Sequence, residues 1–256
     1  MVKKDATVES MLLPGWDAPE VRRGTLSEQV ARQIAERIGE LGLEAGDEIP
    51  SEGELARAFG VNRLVVREAL RILAAREMVI SHQGKQARVS VPSYQVFAQL
   101  VMFRTRQRSL GIEQLLDTRE VLEEALVEAA ARRVKEGLAS TAEAARLANE
   151  MEREVHDRYS FIEIDVNFHR SLAVLADNDL LLLLLDSLHD VLLSARRASY
   201  DGRSKRGESH TRTVQAHKDI LRAVERGAPH EARAAMRAHL ADTRADLDAI
   251  RNELFQ

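Results

Sequence analysis

The stretch "IPSEGELARAFGVNRLVVREALRILAAREMVISHQGK", residues 49–85, decides the fold of the first third of the chain. Ser51 precedes an apolar-periodic segment and has Glu54 three residues later, a spacing in which hydroxyl and carboxylate satisfy each other's backbone N–H groups and start a helix. "FGV" at 59–61 ends that short helix in a turn, and Asn62 caps a third helix predicted to run to about Arg76. "MVISHQGKQARVSV" (78–91) reads as two short strands around a turn at Gly84. Upstream, "TLSEQVARQIAERIGELG" (25–42) sets Leu26, Val30, Ile34, Ile38 and Leu41 in one helical stripe ended by Gly42. Helix, helix, turn, helix, hairpin is the order of a winged helix-turn-helix, here placed at 21–92.

The third helix carries the chemistry of that head. Arg63, Arg67 and Arg71 recur every four residues on one face, and Val66, Leu70 and Leu73 line another. Between 62 and 76 there are four arginines and one glutamate, whereas 21–92 as a whole holds 11 Lys/Arg and 10 Asp/Glu. Positive charge is therefore gathered on the helix that a helix-turn-helix lays in the major groove. The arginine fork reads guanine O6 and N7 or grips phosphate. Lys85 in the wing offers one more cation to the groove or backbone alongside. The competing explanation is an ordinary solvated helix face.

Composition sets the outer bounds. The chain has 256 residues, 45% hydrophobic and 30% charged, with net charge −4 and no cysteine. That length suits one large domain or two smaller ones. Lack of cysteine excludes disulfides and thiolate metal sites and fits a cytoplasmic protein. The net charge excludes a general polycation, so any nucleic-acid site must be local. No apolar run approaches the roughly 18 residues of a membrane span. The first twenty residues, "MVKKDATVESMLLPGWDAPE", are too acidic for a secretory signal and are read as a flexible tail.

After a junction at "VPSYQ" (91–95), only helical periodicity remains. Residues 93–256 are expected to form an all-helical bundle of six or seven helices, making the chain mainly α with one small hairpin. Ser140 and Glu143 form another capping-box pair. "NDLLLLLLDSLHDVLLSARRAS" (178–199) reads as one helix, its leucine run either a buried central helix or an oligomer contact.

Three of these helices carry polar groups on their apolar faces. Asp165 and His169 share a stripe with Ile162 and Leu172; His217 with Val214, Ile220 or Leu221, and Val224; His239 with Met236, Leu240, Thr243 and Leu247. Burying such groups unpaired costs about 1–3 kcal/mol each. A shared cation removes that cost, and three imidazoles with one carboxylate suit zinc, nickel, manganese or another first-row divalent ion. The plainer alternative is core histidines bonded to carbonyl oxygens. His82, His156, His210 and His230 lie in the wing, near helix ends or among charges, and His189 is ambiguous beside the leucine run.

Two resemblances add to these readings. Residues 26–91 resemble the DNA-binding domain of GntR-type bacterial regulators: "PSE", "LA", "GV" with Arg63 one residue on, and "VREAL" fall at that family's spacings. The resemblance implies DNA contacts by Arg63, Arg67 and the wing around Gly84 and Lys85. Three departures stand out: Gly53 where arginine is frequent, Asn62 where Ser or Thr is usual, and "REM" (76–78) in place of Glu-Gly before the wing.

"DVNFHRSL" (165–172), "AHKDILRAV" (216–224) and "MRAHL" (236–240) resemble the helical ligand-binding domain of the FadR-like subfamily, the FCD type, with Ala216 where glutamate is usual. This implies that Asp165, His169, His217 and His239 are metal ligands and, through "TREVLE" (118–123), that Arg119 lies near the cavity. The combined expectation is a homodimeric regulator of a near-palindromic operator, responsive to a small carboxylate that completes the metal's coordination and pairs with Arg119 or Arg196. Two rivals are a metal hydrolase or lyase with a fused DNA-binding head, and a sensor for which the metal itself is the signal.

Overall fold

The computed structural model describes residues 25–81, 85–107 and 109–249. The tail at 1–20 and the wing tip, including Gly84, lie outside the described residues. Chain contacts divide the molecule into two compact units between Pro92 and Ser93.

The first unit is α1 (Leu26–Glu40), α2 (Glu52–Phe59), α3 (Arg63–Ala75) and a hairpin of β1 (Val79–Ile80) and β2 (Arg88–Val89). The strands are antiparallel, pairing Val79 with Val89 and Ile80 with Arg88; Glu48 bridges to Arg88 at the outer edge. The winged helix-turn-helix is as expected, and its starts are the capped ones. Ser51 and Glu54 close their capping box, and Asn62 Oδ1 accepts from Val65 N at 2.9 Å. Gly60, at φ 64°, makes the turn between α2 and α3. The core joins Val30, Ala31 and Ile34 to Leu55, Val66, Leu70, Leu73 and the strand valines. Leu26 and Leu41, the ends of the predicted α1 stripe, are exposed instead.

Helix α3 ends in a tight reversal. Glu77 N donates to Ala74 O and Met78 N to Leu73 O, both at 3.0 Å, with Glu77 at φ 55°. This is the two-bond C-terminal cap that normally carries glycine at its left-handed position. Here a glutamate occupies it, in the "REM" segment that departs from the family pattern.

The second unit has eight helices among the described residues: α4 (Tyr94–Arg106), α5 (Ile112–Lys135), α6 (Ala142–Arg153), α7 (Arg158–Leu175), α8 (Asp179–Ser187), α9 (His189–Lys205), α10 (His210–Glu225) and α11 (Pro229–Asp248). Helix α5 packs along α11, α10 and α7, and α11 also packs on α9. Two apolar clusters result, one among α5, α6, α7, α10 and α11, the other among α5, α7, α8 and α9.

Three expectations need correction. The 178–199 segment is two helices, because Leu188 N turns back onto Leu185 O and Asp186 O and tightens the last turn of α8 without any glycine or proline. The leucine run is not a buried central helix: Leu185 is buried, Leu181, Leu182 and Leu184 are half-buried, and Leu180 is 65% exposed. The Ser140–Glu143 box does not form. Thr141 is the N-cap without a side-chain bond, Ser140 Oγ accepts from Ala142 N at 3.4 Å, and Glu143 turns outward to Arg146.

Helices α9 and α11 touch at Gly202. A Cβ there would lie 1.9 Å from Asp246 O, a backbone atom that cannot rotate aside. Gly202→Ala should therefore force the two helices apart and destabilise the helical unit by about 1–3 kcal/mol, read as a lower urea midpoint. An unchanged midpoint would mean that the helices are not in contact there.

Candidate functional site

On α3, burying Val66, Ala69, Leu70 and Leu73 leaves Asn62, Arg63, Arg67 and Arg71 exposed. The three arginines are not equivalent. Arg67 is tied to Glu52 on α2 by two bonds, Nε to Oε1 at 3.1 Å and Nη2 to Oε2 at 2.9 Å. Arg71 pairs with Glu68 at 3.0 Å. Arg63 has no ion pair among the described residues, and its guanidinium lies over α2, where a Cβ at position 53 would meet Nη2 at 3.2 Å. The small Gly53 makes room for it. Lys85 is exposed in the segment leading into β2. Sequence reasoning missed Leu64, which is 66% exposed in the first turn of α3, beside Arg63. Its signal was an apolar residue on the wrong face of the stripe.

In the helical unit the four predicted ligands converge. Helix α7 supplies Asp165 and His169, α10 supplies His217, and α11 supplies His239; their donor atoms all lie within 4.8 Å of one another. His169 Nε2 is 3.2 Å from His239 Nε2, and His217 Nε2 is 3.0 Å from Asp165 Oδ1. Bond lengths of about 2.0–2.1 Å to a first-row ion place adjacent ligand atoms about 3 Å apart. All three imidazoles are buried, with Phe168 edge-on to His217 at 4.9 Å.

The surroundings fix how the rings present themselves. His217 Nδ1 donates to Thr213 O at 2.8 Å, which leaves Nε2 as an acceptor. That nitrogen faces a carboxylate oxygen at ion-pair distance without hydrogen-bond geometry, and it is one of three buried side-chain polar atoms without a hydrogen-bond partner among the described residues. His169 Nδ1 is held by Glu123, so its Nε2 also turns a lone pair inward. Acceptors converging on an acceptor in a buried site are costly unless a cation lies between them. The donor set and the orphaned nitrogen therefore fit a divalent metal, with Glu123 and the Thr213 carbonyl aiming two of the ligands.

Glu123 was missed in the sequence. The available signal was its place four residues after Arg119 on the buried face of α5. Arg119 Nε donates to Glu123 Oε1 at 2.5 Å, and Arg119 Nη2 lies 3.4 Å from His169 Nε2. Arg196 Nη1 donates to Asp165 Oδ2 at 2.6 Å, while its Nε is buried without a hydrogen-bond partner among the described residues. Burial favours a neutral Glu123, but the charge of Arg119 and the contact with His169 more than offset it and hold the carboxyl well below the usual range. Burial likewise opposes ionisation of Asp165, and Arg196 with the His217 contact outweighs it. Arg196 is lowered by burial and by the like charge of Arg119. His169 and His239 are lowered by burial, His239 strongly, so both are neutral.

A cavity of about 40 Å³ adjoins this cluster, its wall including Arg119, Asp165, Arg196, Arg203, His239 and Asp246. His210, set aside in the sequence, lies on the same wall and stacks on Tyr200 at 3.7 Å, outside the ligand set. His156, His189 and His230 are also outside that set.

Comparison with known proteins agrees with both halves. Residues 26–89 match the model of bacterial regulatory proteins of the gntR family, and residues 114–242 match the FCD domain. The HTH-type transcriptional repressor NanR of Edwardsiella tarda is 31% identical over 225 residues, covering 87% of this chain and 85% of that protein. The Uxu operon regulator of Haemophilus influenzae is 28% identical over 230 residues, 86% of this chain and 84% of that one. Among solved structures, a GntR protein of Streptococcus agalactiae superposes with a TM-score of 0.58 at 26% identity, covering 85% of this chain and 98% of that one. The chain belongs to the GntR family of bacterial regulators, with an FCD-type second domain. It is a transcriptional regulator that joins a DNA-binding head to an effector-binding domain. No helix among the described residues is long and apolar enough to cross a membrane.

The depressed imidazoles carry a pH signature. Unfolded histidines take up protons near pH 6.5, whereas His169 and His239 resist protonation in the fold. Their contribution to stability is therefore present above about pH 6.5 and is lost as pH falls below it. Metal-free protein should lose stability in urea titrations between about pH 7 and pH 5, and His239→Gln should flatten that slope. Equal slopes would show that His239 is protonated as readily in the fold as in the open chain.

Proposed function

We propose that this regulator binds a near-palindromic operator as a homodimer and changes its DNA affinity when a small carboxylate binds at a metal-containing pocket of the helical unit. The observation that carries the reading is the convergence of Asp165, His169, His217 and His239 from three helices, with His217 Nε2 buried without a hydrogen-bond partner among the described residues. A bound divalent cation, zinc first among first-row ions and nickel or manganese next, supplies a Lewis-acidic centre for an anionic effector. Arg119 and Arg196, buried beside it, supply the organic cations that pair with a carboxylate. Regulation of this kind takes place in the cytoplasm, where the operator is. The curated relatives are named as repressors and regulators, not as hydrolases or lyases.

For DNA, Arg63 is the freest of the α3 arginines and the first choice for reading a base edge. Asn62 caps the helix at the backbone, and Arg71 and Lys85 serve phosphates. Arg67 reaches DNA by sharing or leaving Glu52. Gly84 belongs to the same proposed wing contact. Leu64 offers an apolar contact to a thymine methyl group. A head of this size reads too few base pairs alone, so two chains are needed. A surface for pairing exists on α4, where Phe97, Leu100 and Phe103 follow one another at three-residue steps and are about half exposed.

Arg63→Ala should weaken operator binding by about 1–3 kcal/mol if it reads a base, or reduce the salt slope by about one if it grips phosphate. Arg67→Ala should also weaken binding. Fluorescence anisotropy across a salt titration, with two chains bound per operator, checks both. Unchanged affinity in both variants removes α3 from the interface.

The metal reading has its own test. Wild-type protein should retain one divalent ion per chain by elemental analysis, and His169→Ala should lose most of it and its effector response together, while operator binding by the head persists. His156→Ala, outside the ligand set, should change nothing. Equal occupancy in wild type and His169→Ala would overturn the assignment.

A further inference from the structure

Glu52 stands at the first position of α2, a carboxylate among the arginines of the neighbouring helix. Its hydrogen bonds from Arg67, and beyond them the charges of Arg67, Arg63 and Arg71, hold it ionised below the usual carboxylate range. Neither of its plain roles accounts for this arrangement. An exposed ion pair adds little to stability. An acidic group in the first turn suits the helix dipole, but that needs no partner on α3. Against DNA the charge is a cost, since a carboxylate beside an arginine cancels its pull on phosphate.

What the pair does accomplish lies in which donors it uses. Glu52 takes one side edge of the Arg67 guanidinium, with Nε donating to Oε1 at 3.1 Å and Nη2 to Oε2 at 2.9 Å. A planar guanidinium has five N–H donors in all. Those two bonds leave the second Nη2 donor and both Nη1 donors, and one from each nitrogen makes the parallel end-on fork. That fork fits guanine O6 and N7, whereas adenine presents a donor where the second acceptor must be. Arg67 remains half exposed while so held. Its long side chain is restrained before DNA arrives, so less freedom is lost on contact. The paired arginine has little net charge to offer a phosphate, but its directed donors keep their value at a base edge. The Arg71–Glu68 pair, one bond within α3, gives no such aim.

We propose that Glu52 is a specificity-determining positioning residue: it holds Arg67 by the side edge, offers the end-on fork already aimed to one guanine in each half-site, and keeps the same arginine from closing on phosphate. This rests on α3 as the DNA-reading helix, and it has Arg67 sharing Glu52 rather than leaving it. The consequence is a trade. Glu52 weakens binding to DNA at large and strengthens the preference for a guanine at one position.

Duplexes are selected from a randomised library with the full-length wild-type chain. Affinities for the selected duplex, and for a scrambled one of equal length and composition, are then measured by fluorescence anisotropy across a salt series. In Glu52→Gln the scrambled duplex should bind more tightly, with a salt slope steeper by about one per chain. The ratio of selected to scrambled affinity should fall about tenfold. At the guanine whose preference Arg67→Ala loses, 7-deazaguanine, which lacks the N7 acceptor, should weaken wild type severalfold and leave Arg67→Ala indifferent. Glu52→Asp keeps the charge and the dipole contact but not the reach. It should hold the scrambled duplex as weakly as wild type does and still lose preference for that guanine. Both substitutions at Glu52 leave the Ser51–Glu54 capping box in place. Equal gains by Glu52→Gln on both duplexes, with their ratio unchanged, would overturn the inference and make Glu52 a restraint that Arg67 must leave. Guanine preference intact in Glu52→Asp would overturn it too, since charge without aim would then suffice. Loss of guanine preference in Arg67→Ala with none in Glu52→Gln sinks the inference alone. If Arg67→Ala binds the selected duplex as wild type does, the place of Arg67 in the interface fails along with it.

Discussion

Four formal charges buried among α5, α7 and α9 constrain how the helical unit can be assembled. Each carboxylate needs its guanidinium within hydrogen-bonding distance, since breaking a buried pair costs about 3–5 kcal/mol. Arg196 on α9 must therefore reach Asp165 on α7, and the Arg119–Glu123 pair on α5 must face His169 on α7. Those two links set the registers of α5 and α9 against α7. With α7 fixed, His217 and His239 can meet its inner face from α10 and α11. Apolar packing fills the space around this frame but does not by itself choose a register.

The head is built on the opposite economy. Its interior is wholly apolar among the clustered residues, and its charges lie on the surface. The exposed Glu52–Arg67 pair contributes little stability at its exposure. Its effect is geometric, restraining one cation of α3 while Arg63 has no ion pair among the described residues. Gly53 belongs to the same arrangement, because a Cβ at this position would meet the Arg63 guanidinium at 3.2 Å.

Much of this was legible in the sequence because the signals were local. Ser51, Glu54, Asn62 and Gly60 act within a few residues of themselves, and the helix starts and turn they predict are the ones observed. The convergence of Asp165, His169, His217 and His239 was legible for another reason: a polar residue inside a helical stripe is anomalous wherever the helix packs. What escaped depends on distant partners. Glu123 looks like an ordinary acidic residue of an amphipathic helix until His169 arrives from 46 positions away. Helix α4 has a single buried residue, Ala98, so it presented no inward stripe. The break at Leu188 comes from a tightened turn that leaves no mark in residue type. The Ser140–Glu143 spacing was right, but Arg146 offered Glu143 a charged partner and the helix started one residue later.

The reversal after α3 couples recognition helix and wing through a residue held against its preference. A non-glycine residue in left-handed backbone costs about 1–2 kcal/mol, and at Glu77 that cost is met by two hydrogen bonds, Glu77 N to Ala74 O and Met78 N to Leu73 O. The bonds share one short loop, so a rotation large enough to relax residue 77 gives up both at once. The joint therefore resists small rotations at residue 77, which would weaken both bonds together. The turn that leads from α3 into the wing is thereby set within residues 73–78.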